Sequence, residues 1–104
     1  MSQRVDQLIG THREQLSRLF TRHRVTKAWV FGSATTDDFS DDSDIDLLIR
    51  FDEVPFDGYA ENFWSLESEL KKVFQREVDL VPEHTLKNPF FIYRVNEGRE
   101  LIHG

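Results

Sequence analysis

Two apolar runs bracketing a polar loop constrain this chain more than any other feature. The first, Ala28-Trp29-Val30-Phe31, ends at Gly32-Ser33. Ten residues later, Asp44-Ile45-Asp46 opens the second, Leu47-Leu48-Ile49. Short apolar runs flanked by turn residues read as strands. Period-two geometry then puts Asp44 and Asp46 on one face of the second strand, with Ile45 and Leu47 on the other. Adjacent carboxylates repel unless a cation sits between them, so the pair makes best sense as a divalent-metal site. Gly32 and Ser33 offer backbone N–H groups and a hydroxyl to a phosphate, with no Cβ obstructing approach at the glycine. Metal and phosphate in one place suggest nucleotide chemistry.

The rest of the chain supplies a frame for two such strands. Residues 3 to about 23 place Val5, Leu8, Ile9, His12, Leu16, Leu19 and Phe20 at helical spacing and predict one amphipathic helix. Its end is crowded with Arg18, Arg22 and Arg24, which suit the negative end of the helix dipole. The spacing predicts strands over 25–31 and 44–51, with a short helical turn after Ser33, and then an acidic linker broken by Pro55 and Gly58. A second helix is expected over 61–74, with Phe63, Trp64, Leu66, Leu70, Val73 and Phe74 facing the core. A short strand over 77–81 is closed by Pro82. Asn88-Pro89 caps a last helix that Gly98 stops, and 100–103 reads as an edge strand. The fold class is therefore α/β (α+β): a small mixed sheet of three to four strands packed against helices, in one domain spanning 1–104.

Composition narrows the function classes. With 38% hydrophobic residues and nine Phe, the 104 residues can build a core. No apolar stretch approaches the roughly 20 residues of a membrane span. The absence of cysteine rules out thiolate metal sites and suits a cytoplasmic protein. The net charge of −6 is concentrated: between residues 37 and 57 stand Asp37, Asp38, Asp41, Asp42, Asp44, Asp46, Asp52, Glu53 and Asp57 against the single base Arg50. A duplex-binding protein would show a basic face, so direct nucleic-acid binding is not expected.

The strand Glu77-Val78-Asp79-Leu80-Val81 carries a third carboxylate inside an apolar run. A lone buried carboxylate is costly unless paired or metal-bound. If this strand lies beside the second, Asp79 faces Asp44 and Asp46; on an outer edge it would instead point to water.

Gly-Ser, ten residues, then Asp-x-Asp on an apolar strand resembles the signature of the minimal nucleotidyltransferases of the DNA polymerase beta superfamily. These include the antitoxin partners of HEPN toxins, and the order of elements is similar over nearly the whole chain. The resemblance implies a nucleotidyltransferase fold and a reaction in which a hydroxyl attacks the α-phosphorus of a nucleoside triphosphate, most simply ATP. It implies Asp44, Asp46 and Asp79 as catalytic, metal-binding residues for two Mg2+ ions, with Gly32 and Ser33 on the β- and γ-phosphates. The implied acceptor is a tyrosine of a HEPN-type partner protein. One departure stands out. Thr36 and Asp37 occupy the places where relatives often carry Arg and Gly, which removes a cation from the phosphate site and adds an anion. Lys71, Lys72, Arg76, Lys87 and Arg94 are the candidates to compensate.

Three rival readings accompany this one. Asp42, Asp44, Asp46 and Glu53 fall at the first, third, fifth and twelfth places of an EF-hand loop, but Leu47 stands where that loop needs glycine. A noncatalytic module of the same fold could neutralise a partner by covering it, with Tyr59, Phe90, Phe91 or Tyr93 as contacts, although aromatics of this kind are usually core. Aminoglycoside nucleotidyl transfer would require a drug-binding domain that is not apparent here. His12, His84 and His103 are assigned no chemical role.

Overall fold

Ile45, Leu47, Leu48 and Ile49 of the second strand are all completely buried, so both faces of this strand must be covered. The computed structural model describes residues 3–36, 39–40, 42–53 and 56–104. Asp37 and Pro55, singled out above, lie outside the described residues. The elements run α1 (Gln3–Ile9), α2 (Arg13–Arg22), β1 (Val25–Phe31), β2 (Ile45–Phe51), α3 (Phe56–Phe74), β3 (Val78–Pro82), α4 (Pro89–Gly98) and β4 (Glu100–His103). The sheet order is β3-β2-β1-β4. β1 is antiparallel to both β2 and β4, while β3 runs parallel to β2, with α3 as the crossover between them. This is the expected mixed sheet, with β4 on one edge and β3 on the other.

Alternation along the strands sorts their side chains into two cores. Ala28, Val30, Ile45, Leu47, Ile49, Val78 and Leu80 meet Val5 and Ile9 of α1, Leu16, Leu19 and Phe20 of α2, and Leu66 and Leu70 of α3. On the opposite face Trp29, Phe31 and Leu48 meet Val95 of α4, with Val81 and Leu86 packed alongside. Arg50 and Arg99 lie over the Trp29 ring, their guanidinium carbons 5.3 and 4.6 Å from its centroid. Among the described residues no helix is long and apolar enough to cross a membrane.

Several sequence expectations need correction. The first helix is two helices, joined by a 3-10 turn over Gly10–His12. Gly10 has φ +24°, a conformation open to a glycine and foreign to an α-helix interior. The second helix starts earlier than expected, at Phe56, and β2 starts one residue later, at Ile45, leaving Asp44 just outside the strand. Trp64 is 63% exposed and not core. At about 100° per residue it stands about 200° from Leu66, so one cannot be buried against the sheet without turning out the other. Phe90 and Tyr93 of α4 are likewise exposed, because Val95 is the residue of α4 that seats in the core. His12 sits edge-on to Phe74 with ring centroids 6.3 Å apart, a packing role.

α2 and α3 are tied by a histidine absent from the sequence reading. His23 is buried; its Nδ1 lies 2.8 Å from the Leu19 carbonyl and its Nε2 3.0 Å from Ser65 Oγ. The carbonyl only accepts, so Nδ1 carries a proton directed at it. Asn62 Nδ2 donates to the His23 carbonyl at 2.8 Å.

Candidate active site

The β2/β3 register decides the site. Ile45 pairs with Val78 and Asp46 with Asp79, so the two carboxylates stand side by side on neighbouring parallel strands. Across β1, Asp46 pairs with Phe31, the residue before Gly32. One row across the sheet therefore reads Phe31, Asp46, Asp79, and the next Trp29, Leu48, Val81. Both rows lie on the α4 face. The apolar second row roots that face in the core, while the acids of the first row stand at its edge.

Burial and neighbouring charge both act on Asp46, whose carboxyl is pushed up from 3.8 to about 6. Burial is the largest cause, followed by the charges of Asp79 and then Asp44. Asp79 combines the two alternatives: its strand lies beside β2 and pairs it with Asp46, yet it is exposed on the sheet edge. It reaches the site from the open side. Asp44 is also exposed. Among the described residues no three His, Asp or Glu side chains gather into a ready metal cage. The acids are coupled by charge without closing around a common point.

Above this row the chain turns at Gly32–Thr35, a short 3-10 segment. Gly32 has φ +72°, and a Cβ placed on it would collide with the Asp46 carboxylate. The glycine is thus required twice, by backbone conformation and by the approach of the turn to the acid. Thr35 Oγ1 donates to the Gly32 carbonyl at 2.8 Å and Thr36 Oγ1 to the Ser33 carbonyl at 2.9 Å. Ala34 is buried and pins the turn into the main core. Gly32 consequently lies against Asp46, with Ser33 next in the same turn.

The loop entering β2 is held from the connection between α3 and β3. Arg76 donates from Nη1 to the carbonyls of Ser40 and Ser43, each at 3.0 Å, and stacks over Phe39 with 4.6 Å to the ring centroid. Ile45 N donates to the Glu77 carbonyl at 3.0 Å, which brackets Asp44 between anchored residues. The sequence contains no signal for this clamp, because Arg76 stands more than 30 residues from the carbonyls it holds.

These parts open on one cleft of about 720 Å³, whose walls include Gly32, Ser33, Asp46, Asp79, Phe91 and Arg94. Four of the five expected site residues thus share one cavity, with Asp44 outside its lining. Phe91 and Arg94 come from α4. Of the five cations considered as compensation, Lys71 pairs with Glu77 at 3.1 Å, Lys72 with Glu69 at 3.4 Å, and Arg76 holds the loop. Arg94 is the one that lines the cleft. The EF-hand alternative is excluded, since Ile45–Phe51 is a strand where that motif needs a loop.

The donor set suits a hard divalent cation. All three acids offer carboxylate oxygens, and the raised Asp46 carboxyl marks negative charge that a cation would relieve.

Residues 9–102 match the family described as Nucleotidyltransferase domain. Protein adenylyltransferase MntA of Thermococcus cleftensis is 31% identical over 84 residues, covering 81% of this chain and 79% of the relative. A solved chain described as a candidate minimal nucleotidyltransferase superposes with a TM-score of 0.73 at 28% identity, covering 90% of this chain and 92% of that one. A chain from the complex of tri-AMPylated Shewanella oneidensis HEPN toxin with MNT antitoxin has the same fold, with a TM-score of 0.61 at 18% identity over 88% of this chain and 69% of that one. The Gly-Ser turn, the paired strand acids and the match over residues 9–102 agree, and the chain belongs to the nucleotidyltransferase domain family, resembling its minimal, protein adenylyltransferase-like members.

Proposed function

We propose that this chain is a Mg2+-dependent protein adenylyltransferase that transfers AMP from ATP to a tyrosine hydroxyl of a HEPN-type partner, acting as its antitoxin in the cytoplasm. The observation that carries the reading is the Asp46–Asp79 register pair beneath the Gly32–Ser33 turn in one cleft. Asp44, Asp46 and Asp79 would hold two Mg2+ ions, which when bound neutralise the triphosphate and polarise the α-phosphorus. The Gly32–Ser33 turn holds the β- and γ-phosphates, kept in shape by the Thr35 and Thr36 hydroxyls. Asp79, exposed at the open side of the row, meets the acceptor hydroxyl and takes its proton. The acceptor oxygen forms a bond to the α-phosphorus as the bond from that phosphorus to the bridging oxygen breaks. Pyrophosphate departs with the electron pair.

A second reading has its own observation. Phe90 and Tyr93 are 83% and 69% exposed on α4, beside the cleft, which is what a surface that covers a partner would present. Incubation with α-labelled ATP, Mg2+ and a HEPN-type protein encoded beside this chain separates the two. Label on the partner that disappears with EDTA, Asp46→Asn or Asp79→Asn supports transfer. A tight complex without label refutes transfer and supports the covering module.

A further inference from the structure

Resting on the nucleotide site proposed above, we infer that Arg94 is the residue that binds the terminal phosphates of the triphosphate. The cleft lining contains the acids Asp46, Asp79 and Glu97 and one base, Arg94. A nucleoside triphosphate brings about four negative charges, more than the acid-bound cations alone can offset once they are shared with three carboxylates. Some protein cation must face the phosphates; among the described residues Arg94 is the base that lines the cleft, Lys87 is not in its lining, and several others are held elsewhere. Arg50 forks onto Glu83 with both bonds at 3.0 Å. Arg99 lies over Trp29, Arg76 holds the Ser40 and Ser43 carbonyls, and Lys71 and Lys72 pair with glutamates. Among the described residues no carboxylate is paired with Arg94, including Glu97 one turn along.

The placement of Arg94 follows from how α4 is fixed. Asn88 Oδ1 accepts from Phe90 N at 2.9 Å, which sets the start of the helix. Val95 is 1% exposed in the second core, and the Phe91 ring meets Phe31 edge-on with centroids 6.2 Å apart. These two contacts fix the rotation of α4, and Arg94, one residue before Val95 and three after Phe91, is turned into the cleft. At the far end Gly98 lets the helix close on the phosphate-facing turn, since a Cβ there would come within 3.3 Å of Thr35 Oγ1. Arg94 therefore shares one cavity with the Gly32–Ser33 turn, and its guanidinium has the planar fork that suits a phosphate.

The test compares Mg2+-dependent binding of AMP-PNP and of AMP by calorimetry for the wild-type chain, Arg94→Ala, Arg94→Lys and Asp46→Asn. Arg94 is exposed, so the variants should fold, which thermal unfolding checks. Arg94→Ala should weaken AMP-PNP about 10- to 100-fold, with Arg94→Lys between it and wild type, and leave AMP within about 2-fold. AMP-PNP affinity unchanged in Arg94→Ala, or an equal loss for AMP and AMP-PNP, overturns the assignment. Loss in Asp46→Asn with none in Arg94→Ala removes Arg94 alone. Undiminished AMP-PNP binding in Asp46→Asn, or none in wild type, removes the nucleotide site with it.

Discussion

Replacing Asp46 with Asn should make the metal-free protein more stable while abolishing its chemistry. The Asp46 carboxyl is raised from 3.8 to about 6, so the folded chain binds its proton more tightly than the unfolded chain does. The sign follows directly. The stabilisation is fully present below pH 3.8 and is lost as pH rises through about 6. At about 1.4 kcal/mol per tenfold, the gap corresponds to about 3 kcal/mol against the folded state at pH 7. Asp46 is only partly buried, and solvent screening reduces this to about 1–1.5 kcal/mol. Asn keeps the shape and carries no charge. The thermal midpoint in EDTA at pH 7.5 should therefore rise by about 4–12 °C, given about 4–8 °C per kcal/mol for a domain of this size. At pH 4.5 the gain should shrink, because Asp46 in the parent is then largely protonated. Asp79→Asn should give a smaller gain, since it removes a neighbouring charge and leaves the burial. Circular dichroism melts at the two pH values read this out. A midpoint in Asp46→Asn equal to or below the parent's at pH 7.5, or a gain as large at pH 4.5, refutes the account of strain at the carboxylate row.

Other substitutions probe the frame around the row. Gly32→Ala must place a Cβ at φ +72° and onto the Asp46 carboxylate, and should cost about 2–3 kcal/mol in chemical denaturation together with nucleotide binding. Arg76→Ala frees the Ser40 and Ser43 carbonyls and the Phe39 ring, so amide exchange at 42–45 should accelerate and Mg2+-ATP binding weaken about 10-fold, with the melt little changed. Arg76→Lys should recover only part of that affinity, because a point charge cannot both stack and reach two carbonyls. His23→Ala removes the link from α2 to Ser65 and leaves a buried void, at a cost of about 2–3 kcal/mol in urea with nucleotide affinity retained.

Charge crowding links these expectations. Binding of Mg2+ and nucleotide at the proposed site should raise the stability of the parent and leave Asp46→Asn unchanged. The row after Asp46 and Asp79 on that face is the apolar Trp29, Leu48 and Val81, which keeps the cost of that crowding local.

Several elements were legible in the chain because a local cause fixes them. Val25–Phe31 is a strand on its apolar run stopped at Gly32, Asn88-Pro89 starts α4 by capping, and Glu100–His103 closes the edge as expected. Others depended on partners distant in sequence. Whether an aromatic in 61–74 or 89–98 is core or surface turns on which residue seats first, and Leu66 and Val95 displaced Trp64, Phe90 and Tyr93. The break at Gly10 is local, but a single glycine inside an otherwise periodic helix reads as tolerable until the backbone shows φ +24°.

The sequence by itself determined the fold family, the turn at Gly32-Ser33 and the place of Asp46 at the head of an apolar strand, because these lie within one short stretch whose spacing is fixed by backbone geometry. Tertiary structure alone decided that Asp79 stands opposite Asp46, since parallel register is set by the α3 crossover and the packing of both sheet faces. It also decided that Arg94, about 60 residues from the turn, faces the same cleft, because the rotation of α4 follows from where Val95 and Phe91 find their contacts. Spacing along a chain encodes what one strand and its turn can do. Which charges meet across a cleft is encoded only in how the cores pack.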